Sequence, residues 1–106
     1  MPNRNYEKGR RGEYYVKNFL EKHGFKVLRT AGSHSPIDLL AARDGESVYA
    51  IQVKSGSIRN FDENVLNEYA KCFHAEPTLV WNNKGDWVVF LNDNEVRSLE
   101  LAFGGS

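Results

Sequence analysis

Three polar side chains interrupt apolar stretches of this sequence where burial would be unfavourable without a specific role. Asp38 lies in the apolar segment 37–42, and Gln52 and Lys54 lie in the β-branched segment 48–54. Two positions apart on a strand, Gln52 and Lys54 project from the same face. A carboxylate, an amide oxygen and an ammonium group together suit a hard divalent cation and a phosphate.

A turn between these two segments predicts that they meet. Asp44-Gly45 is a strong hairpin signal. Asp38 precedes Asp44 by 6 residues and Gln52 follows Gly45 by 7. An antiparallel pair closed by this turn therefore brings Asp38 level with Gln52 and Lys54 at one end of a sheet.

Glu13 is a candidate second carboxylate. It precedes Val16 by three residues, on the edge of the apolar stripe of a helix predicted over about 6–23. From there Glu13 could face Asp38. It could equally form a surface ion pair with Lys17, four residues on, which would contribute little. The residues alone leave both interpretations open.

Each strand residue also has a purely structural interpretation. Asp38 could face solvent at a strand end, Gln52 could be hydrogen-bonded within the sheet, and Lys54 could extend to water. Their joint occurrence at this spacing favours a functional site.

The elements that must position these residues form one α/β domain. Apolar spacing predicts helices at about 6–23 and 62–74, the second ended by Pro77, and strands at 25–29, 37–42, 48–54, 78–81 and 87–91. The order α-β-β-β-α-β-β predicts a mixed five-stranded sheet flanked by helices. We assign 1–106 to a single domain, with its core at about 8–91 and with 92–106 as a tail or interface segment.

Composition limits the class of protein. The chain has 106 residues, 41% hydrophobic and 26% charged, which fits one globular domain rather than a disordered or fibrous chain. A single cysteine, Cys72, excludes an internal disulfide and a cysteine-rich zinc site. Without a long apolar run or a signal-peptide pattern, we expect a cytoplasmic protein with no membrane partner.

The formal net charge of zero conceals an asymmetry. Residues 1–30 hold eight basic and three acidic residues, a net +5, whereas 61–106 hold three basic and eight acidic, a net −5. A basic face can steer a polyanion such as DNA to one side of a fold. A solvated helix with surface lysines would show the same asymmetry, so charge permits a nucleic-acid partner without showing one.

Several motifs resemble the PD-(D/E)XK nuclease superfamily, and most closely the small archaeal-type Holliday junction resolvases. They are Gly12-Glu13, Gly24-Phe25-Lys26-Val27, Ser35-Pro36-Ile37-Asp38-Leu39-Leu40-Ala41, Ile51-Gln52-Val53-Lys54-Ser55, and a closing hairpin at 77–90. The resemblance covers about residues 8–91 and implies a restriction-endonuclease-like fold.

By this resemblance, Asp38 is the metal-binding acid, Lys54 the catalytic lysine and Glu13 the helical glutamate. Ser33 or Ser35 falls in the loop where such resolvases carry a serine that contributes to cleavage. The resemblance implies Mg²⁺ as the cofactor, with Mn²⁺ as an alternative.

Gln52 departs from the resolvase pattern, which has Glu or Asp at this position. Restriction nucleases of the Mrr type carry Gln-x-Lys and are similar to this chain there. Glutamine offers an oxygen without charge, which predicts weaker metal binding than a carboxylate. The resemblance adds the backbone carbonyl of Val53 as a further ligand.

The function implied is a metal-dependent, structure-selective DNA endonuclease that resolves four-way junctions as a homodimer in recombination and repair. The predicted DNA contacts are Arg10, Arg11, Lys17, Ser55 and Arg59. Two alternatives stay open: a restriction or repair nuclease of the same superfamily, and a catalytically inactive relative that only binds DNA.

Overall fold

The computed structural model describes residues 4–30, 34–57, 61–91 and 96–104. Its helices are α1 (Arg4–Lys22), α2 (Glu63–Cys72) and α3 (Leu99–Phe103); its strands are β1 (Lys26–Arg29), β2 (Leu39–Ala42), β3 (Val48–Ser55), β4 (Ala75–Asn83), β5 (Asp86–Phe90) and β6 (Val96–Ser98). The strands form one sheet in the order β1-β2-β3-β4-β5-β6. Among the strands of the described residues, only β3 and β4 pair in parallel. The predicted mixed sheet with helices is confirmed, with six strands in place of five.

The helix α1 covers one face of the sheet because its apolar residues recur at helical spacing. Val16 and Leu20 are fully buried and belong to the same core cluster as Leu39 and Ile51. Gly24 follows α1 at φ +92°, a conformation that L side chains rarely adopt, and turns the chain into β1.

The helix α2 contributes to a second, smaller core cluster. Leu66 and Ala70 are buried in it together with Ile37 and Ala50. Because Ala50 and Ile51 are successive strand residues, the two clusters lie on opposite faces of β3.

The prediction that Pro77 ends the second helix is wrong. The helix ends at Cys72, and His74 then adopts φ 54° before the chain enters β4. Pro77 lies within β4, opposite Ala50 of β3. The helix therefore ends five residues before the proline, and the chain reverses at His74.

The end of the chain completes the core. Residues 96–103, which we predicted as part of a tail or interface segment, pair with β5 and form α3. Phe103 is 2% exposed, and its ring meets those of Phe25 and Tyr49 at centroid distances of 5.6 and 5.2 Å. Among the described helices, none is long and apolar enough to cross a membrane.

Candidate active site

The pairing of β2 with β3 positions the Asp38 carboxylate. Leu39 lies opposite Ile51, so Asp38, one residue earlier, comes level with Gln52. The Asp38 N–H donates to the Ile51 carbonyl at 2.8 Å, and its Oδ2 accepts the Val53 N–H at 2.8 Å. The carboxylate therefore lies at the end of β2, held by the backbone of β3.

The alternation along β3 separates core residues from polar ones. Ile51 and Val53 are buried in the same cluster as Val16 of α1. Gln52 and Lys54, on the opposite face, are half-buried. The Gln52 Oε1 atom is buried and has no hydrogen-bond partner within the described part of the chain. A buried oxygen of this kind is unfavourable unless a ligand or a water molecule satisfies it.

The Asp38 carboxyl is electrostatically unusual. Burial raises its pKa from 3.8 to about 6, although the Val53 N–H opposes this rise. The charge of Glu13 raises this pKa further, whereas Lys54 and Arg29 lower it. These four ionisable groups thus belong to one electrostatic cluster, in which a bound cation would stabilise the ionised Asp38.

Glu13 reaches this cluster from α1. Its Oε1 accepts from Arg29 Nε at 2.9 Å, and the two side chains are 19% and 17% exposed. The surface pair with Lys17 is not formed, since Lys17 Nζ lies 3.1 Å from Glu21 Oε2. Glu13 is therefore turned toward the sheet.

Arg29 is a site residue that the sequence analysis missed. It ends β1, opposite Leu39, the residue after Asp38. Its guanidinium also lies over the ring of Tyr14, 4.9 Å from the centroid. The signal that would have found it is the antiparallel pairing of 25–29 with 37–42, which places an arginine beside the predicted metal-binding acid.

The two predicted loop serines differ in what the structure describes. Ser35 Oγ donates to the Ile37 carbonyl at 3.3 Å, one residue before Asp38. Ser33 lies outside the described residues.

The predicted DNA contacts are spread along α1 and the end of β3. Arg10 and Arg11 are exposed, and the Arg10 guanidinium lies 5.8 Å from the Tyr14 ring centroid. Ser55 is exposed at the end of β3 and lines a cleft together with Arg11. Lys17 is paired with Glu21, which offsets its charge. Arg59 lies outside the described residues.

The oxygen set around Asp38 fits a hard divalent cation. Within the described ranges, no group of three or more His, Cys, Asp or Glu side chains is arranged to hold a metal ion. The donors here are two carboxylates of one electrostatic cluster, Asp38 and Glu13, and the unpartnered Oε1 of Gln52. Oxygen donors of these kinds are the ligands that Mg²⁺ and similar ions prefer.

Comparison with known proteins finds a matching family model and similar sequences. Residues 4–101 match the family model for the archaeal Holliday junction resolvase, Hjc. The chain is 36% identical over 92 residues to the crossover junction endodeoxyribonuclease Hjc of Methanocaldococcus jannaschii, covering 82% of this chain and 67% of that protein. It is 30% identical over 108 residues to the crossover junction endodeoxyribonuclease of Sulfolobus islandicus rod-shaped virus 1, covering 89% and 88%.

The fold is likewise similar to that of a solved Hjc, a Holliday junction resolvase from Archaeoglobus fulgidus. The TM-score is 0.73 at 23% identity, covering 93% of this chain and 98% of the other. The predicted fold class and the predicted nuclease function are confirmed at the level of the family, whose members depend on divalent metal. On its sequence match and its sheet, the chain belongs to the archaeal Holliday junction resolvase family.

Proposed function

We propose that this chain cuts four-way DNA junctions by metal-dependent phosphodiester hydrolysis at the Asp38 cluster. The observation that carries the proposal is the buried, unpartnered Oε1 of Gln52 on the strand residue level with Asp38, whose carboxyl has a pKa raised to about 6. A cation would relieve both the unpartnered oxygen and the buried carboxyl, since it accepts a lone pair from the amide oxygen and stabilises the ionised carboxylate.

The metal ligands in this proposal are Asp38, Gln52 Oε1, Glu13 and the carbonyl of Val53. All four supply oxygen, which favours Mg²⁺, with Mn²⁺ as a substitute. When bound, such an ion neutralises charge that develops on the phosphate oxygens and makes water easier to deprotonate.

Lys54 acts on the substrate in this proposal. Its ammonium group belongs to the Asp38 cluster and can donate hydrogen bonds to a phosphate oxygen and to the attacking water. The water oxygen attacks phosphorus and its proton passes to solvent, while the bond to the leaving sugar oxygen breaks and that oxygen takes up a proton from solvent. Hydrogen-bond donors that are in position before the reaction lower its activation barrier, because they need not reorganise to reach the transition state.

The basic side of α1 binds the DNA backbone. Arg10 and Arg11 hold phosphates on either side of the cut, aided by Ser55 at the end of β3 and by Arg59. Such contacts make affinity fall as salt rises, without reading base sequence. Lys17 contributes less, because Glu21 competes for its charge. Ser35, and Ser33 in the same loop, would assist the cleavage step.

Resolution of a junction requires two cuts, so we propose a homodimer with one site in each chain. The surface for it is apolar: Val65, Tyr69 and Phe73 are exposed on or directly after α2. Beside α2 lies a cleft of about 290 Å³, lined among others by Phe61 and Phe90. Light scattering should give twice the chain mass of 12.1 kDa, and a monomer at working concentration would contradict the dimer.

The test uses a labelled four-way junction, a duplex of the same sequence and a single strand, each with Mg²⁺, with Mn²⁺ and with EDTA. We expect paired cuts in the junction with either metal and none with EDTA. Equal cutting of the duplex would favour a restriction or repair nuclease. Tight junction binding without cutting in any metal would favour an inactive relative.

A second measurement examines the metal site without cleavage. Titration of Mn²⁺, followed by electron paramagnetic resonance, should show weaker binding to Gln52→Leu than to the wild type. Equal affinity would remove Gln52 from the ligand set.

A further inference from the structure

An aromatic cleft lies beside the proposed active site, and its two rings have no role in the mechanism above. Tyr15 of α1 and Trp87 of β5 stack with centroids 5.0 Å apart and an angle of 7° between their planes. Both rings line a cleft of about 530 Å³, together with Arg11, Ser55 and Lys84 among others. This volume lies within the range of small-ligand sites.

Core packing accounts for Trp87 but not for Tyr15. Tyr15 is 51% exposed, whereas Val16 and Leu20 supply the fully buried side of α1. A Cβ added at Gly12 would lie 3.4 Å from Trp87 Cη2, an ordinary van der Waals distance, so the indole packs against this turn of the helix. The result is an aromatic platform in which Trp87 packs against the core and Tyr15 is half exposed to solvent.

The chain connects this cleft directly to the proposed active site. Gly12 and Ser55 line the cleft, and they are the immediate neighbours of Glu13 and Lys54. Adjacent Cα atoms are about 3.8 Å apart, and Lys54 and Ser55 leave opposite faces of β3 at its end. A DNA strand with its phosphate at Lys54 would therefore have to pass around the end of this strand to bring a neighbouring nucleotide to the platform. Both charged side chains among the described lining residues, Arg11 and Lys84, are cationic.

We propose that the cleft binds an unstacked nucleobase next to the scissile phosphate, with the Tyr15–Trp87 pair as its stacking surface. This inference rests on the proposed nuclease function. Every base has a π face, so the contact is independent of sequence. Bases within continuous duplex are stacked on both sides, whereas bases at the point where strands exchange can expose a face. The platform therefore contributes to selection of junctions over duplex.

The test compares Tyr15→Leu with Tyr15→Phe, because leucine keeps apolar volume and loses the π face while phenylalanine keeps the ring. Junctions carrying 2-aminopurine at each position around the exchange point are bound in EDTA, where no cleavage occurs. The wild type and Tyr15→Phe should change the fluorescence at one of these positions. Tyr15→Leu should lose that change, with junction affinity weakened about tenfold and duplex affinity unchanged.

Equal fluorescence and equal junction affinity for the two variants, in a protein that cuts junctions, would overturn the platform and leave the nuclease proposal intact. A single-stranded oligonucleotide with 2-aminopurine separates the opposite case. If the wild type neither binds nor cuts junctions but shows the Tyr15-dependent signal on the single strand, the platform stands and the junction function fails. Absence of the signal on both DNAs overturns the platform.

Discussion

Two arginine–glutamate pairs lie at opposite ends of the β1–β2 pairing, and they differ in what surrounds them. Arg43 binds both carboxylate oxygens of Glu46, donates to the His23 carbonyl at 2.8 Å and lies 4.3 Å from the Phe25 ring centroid. Arg29 binds Glu13 in the cluster that contains Asp38 and Lys54.

The carboxyl groups report this difference. Hydrogen bonding to Arg43 lowers the pKa of Glu46 below its ordinary value. Burial raises the pKa of Asp38 to about 6 at the other end. The Glu46 carboxylate therefore has its counter-ion within the protein. At the Asp38 end, a bound cation would stabilise the ionised carboxylate. We infer that the Arg43–Glu46 pair stabilises the fold, whereas the cluster around Asp38 serves catalysis.

Asp38→Asn should give the largest effect. It removes the central proposed metal ligand while an amide oxygen can still accept from Val53, so junction cleavage should fall at least about a hundredfold. Junction binding should persist or tighten because a negative charge near the phosphates is lost. The matched control is Asp62→Asn, since asparagine caps a helix about as well as aspartate. Full activity of Asp38→Asn in a cleavage assay would overturn the mechanism.

Removal of each arginine tests the division between the two ends. Arg29→Ala should lower cleavage about tenfold or more, because Glu13 loses the partner that orients it. Arg43→Ala should lower the Tm by several degrees, since the carbonyls of His23 and Phe103 lose the guanidinium donor that they share. Cleavage well below the Tm should stay near that of the wild type. Cleavage rates and thermal unfolding curves of both variants separate the loss of activity from the loss of stability. The division fails if Arg43→Ala loses as much activity as Arg29→Ala when folded.

The Asp38–Gln52–Lys54 arrangement was predictable because local signals determine it. The Asp44-Gly45 turn sets the register of β2 against β3, and alternation then assigns Gln52 and Lys54 to one face. Every step uses residues close in sequence, so no long-range packing had to be known.

The features that the sequence did not reveal depend on distant contacts. Arg29 joins the site only because β1 pairs with β2, and nothing in its local pattern marks it. The segment 96–103 is too short for a clear period, and it folds because Leu99 and Phe103 enter a core built by the rest of the chain. The orientation of Glu13 likewise depends on its ion pair with Arg29. The apolar spacing of the predicted helix gives no information about that partner.

Gln52→Glu should strengthen metal binding at the Asp38 cluster. A third carboxylate increases the charge attraction for a cation, so the Mg²⁺ concentration that gives half-maximal cleavage should fall about tenfold. Without metal, the added charge should destabilise the fold, because it faces Asp38. Metal titrations of cleavage, compared with Gln52→Leu, measure the effect. The same half-maximal concentration in the wild type and Gln52→Glu would argue that residue 52 does not contact the ion.

The smallest effect is the pH dependence of stability in EDTA, where the two ends should respond in opposite directions. The folded pKa of Asp38, about 6, exceeds its ordinary 3.8, so the folded state binds more protons in that interval and the free energy of unfolding falls as pH rises through it. For Glu46 the lowered pKa gives the reverse, with stability lost as pH falls. Chemical denaturation across this range should show that Asp38→Asn removes the decline and, above pH 6, exceeds the wild type by at most about 3 kcal/mol. Glu46→Gln should leave the decline intact. Parallel curves for the wild type and Asp38→Asn would mean that Asp38 is no more strained than an ordinary surface carboxylate, and the contrast between the two ends would then have to rest on geometry alone.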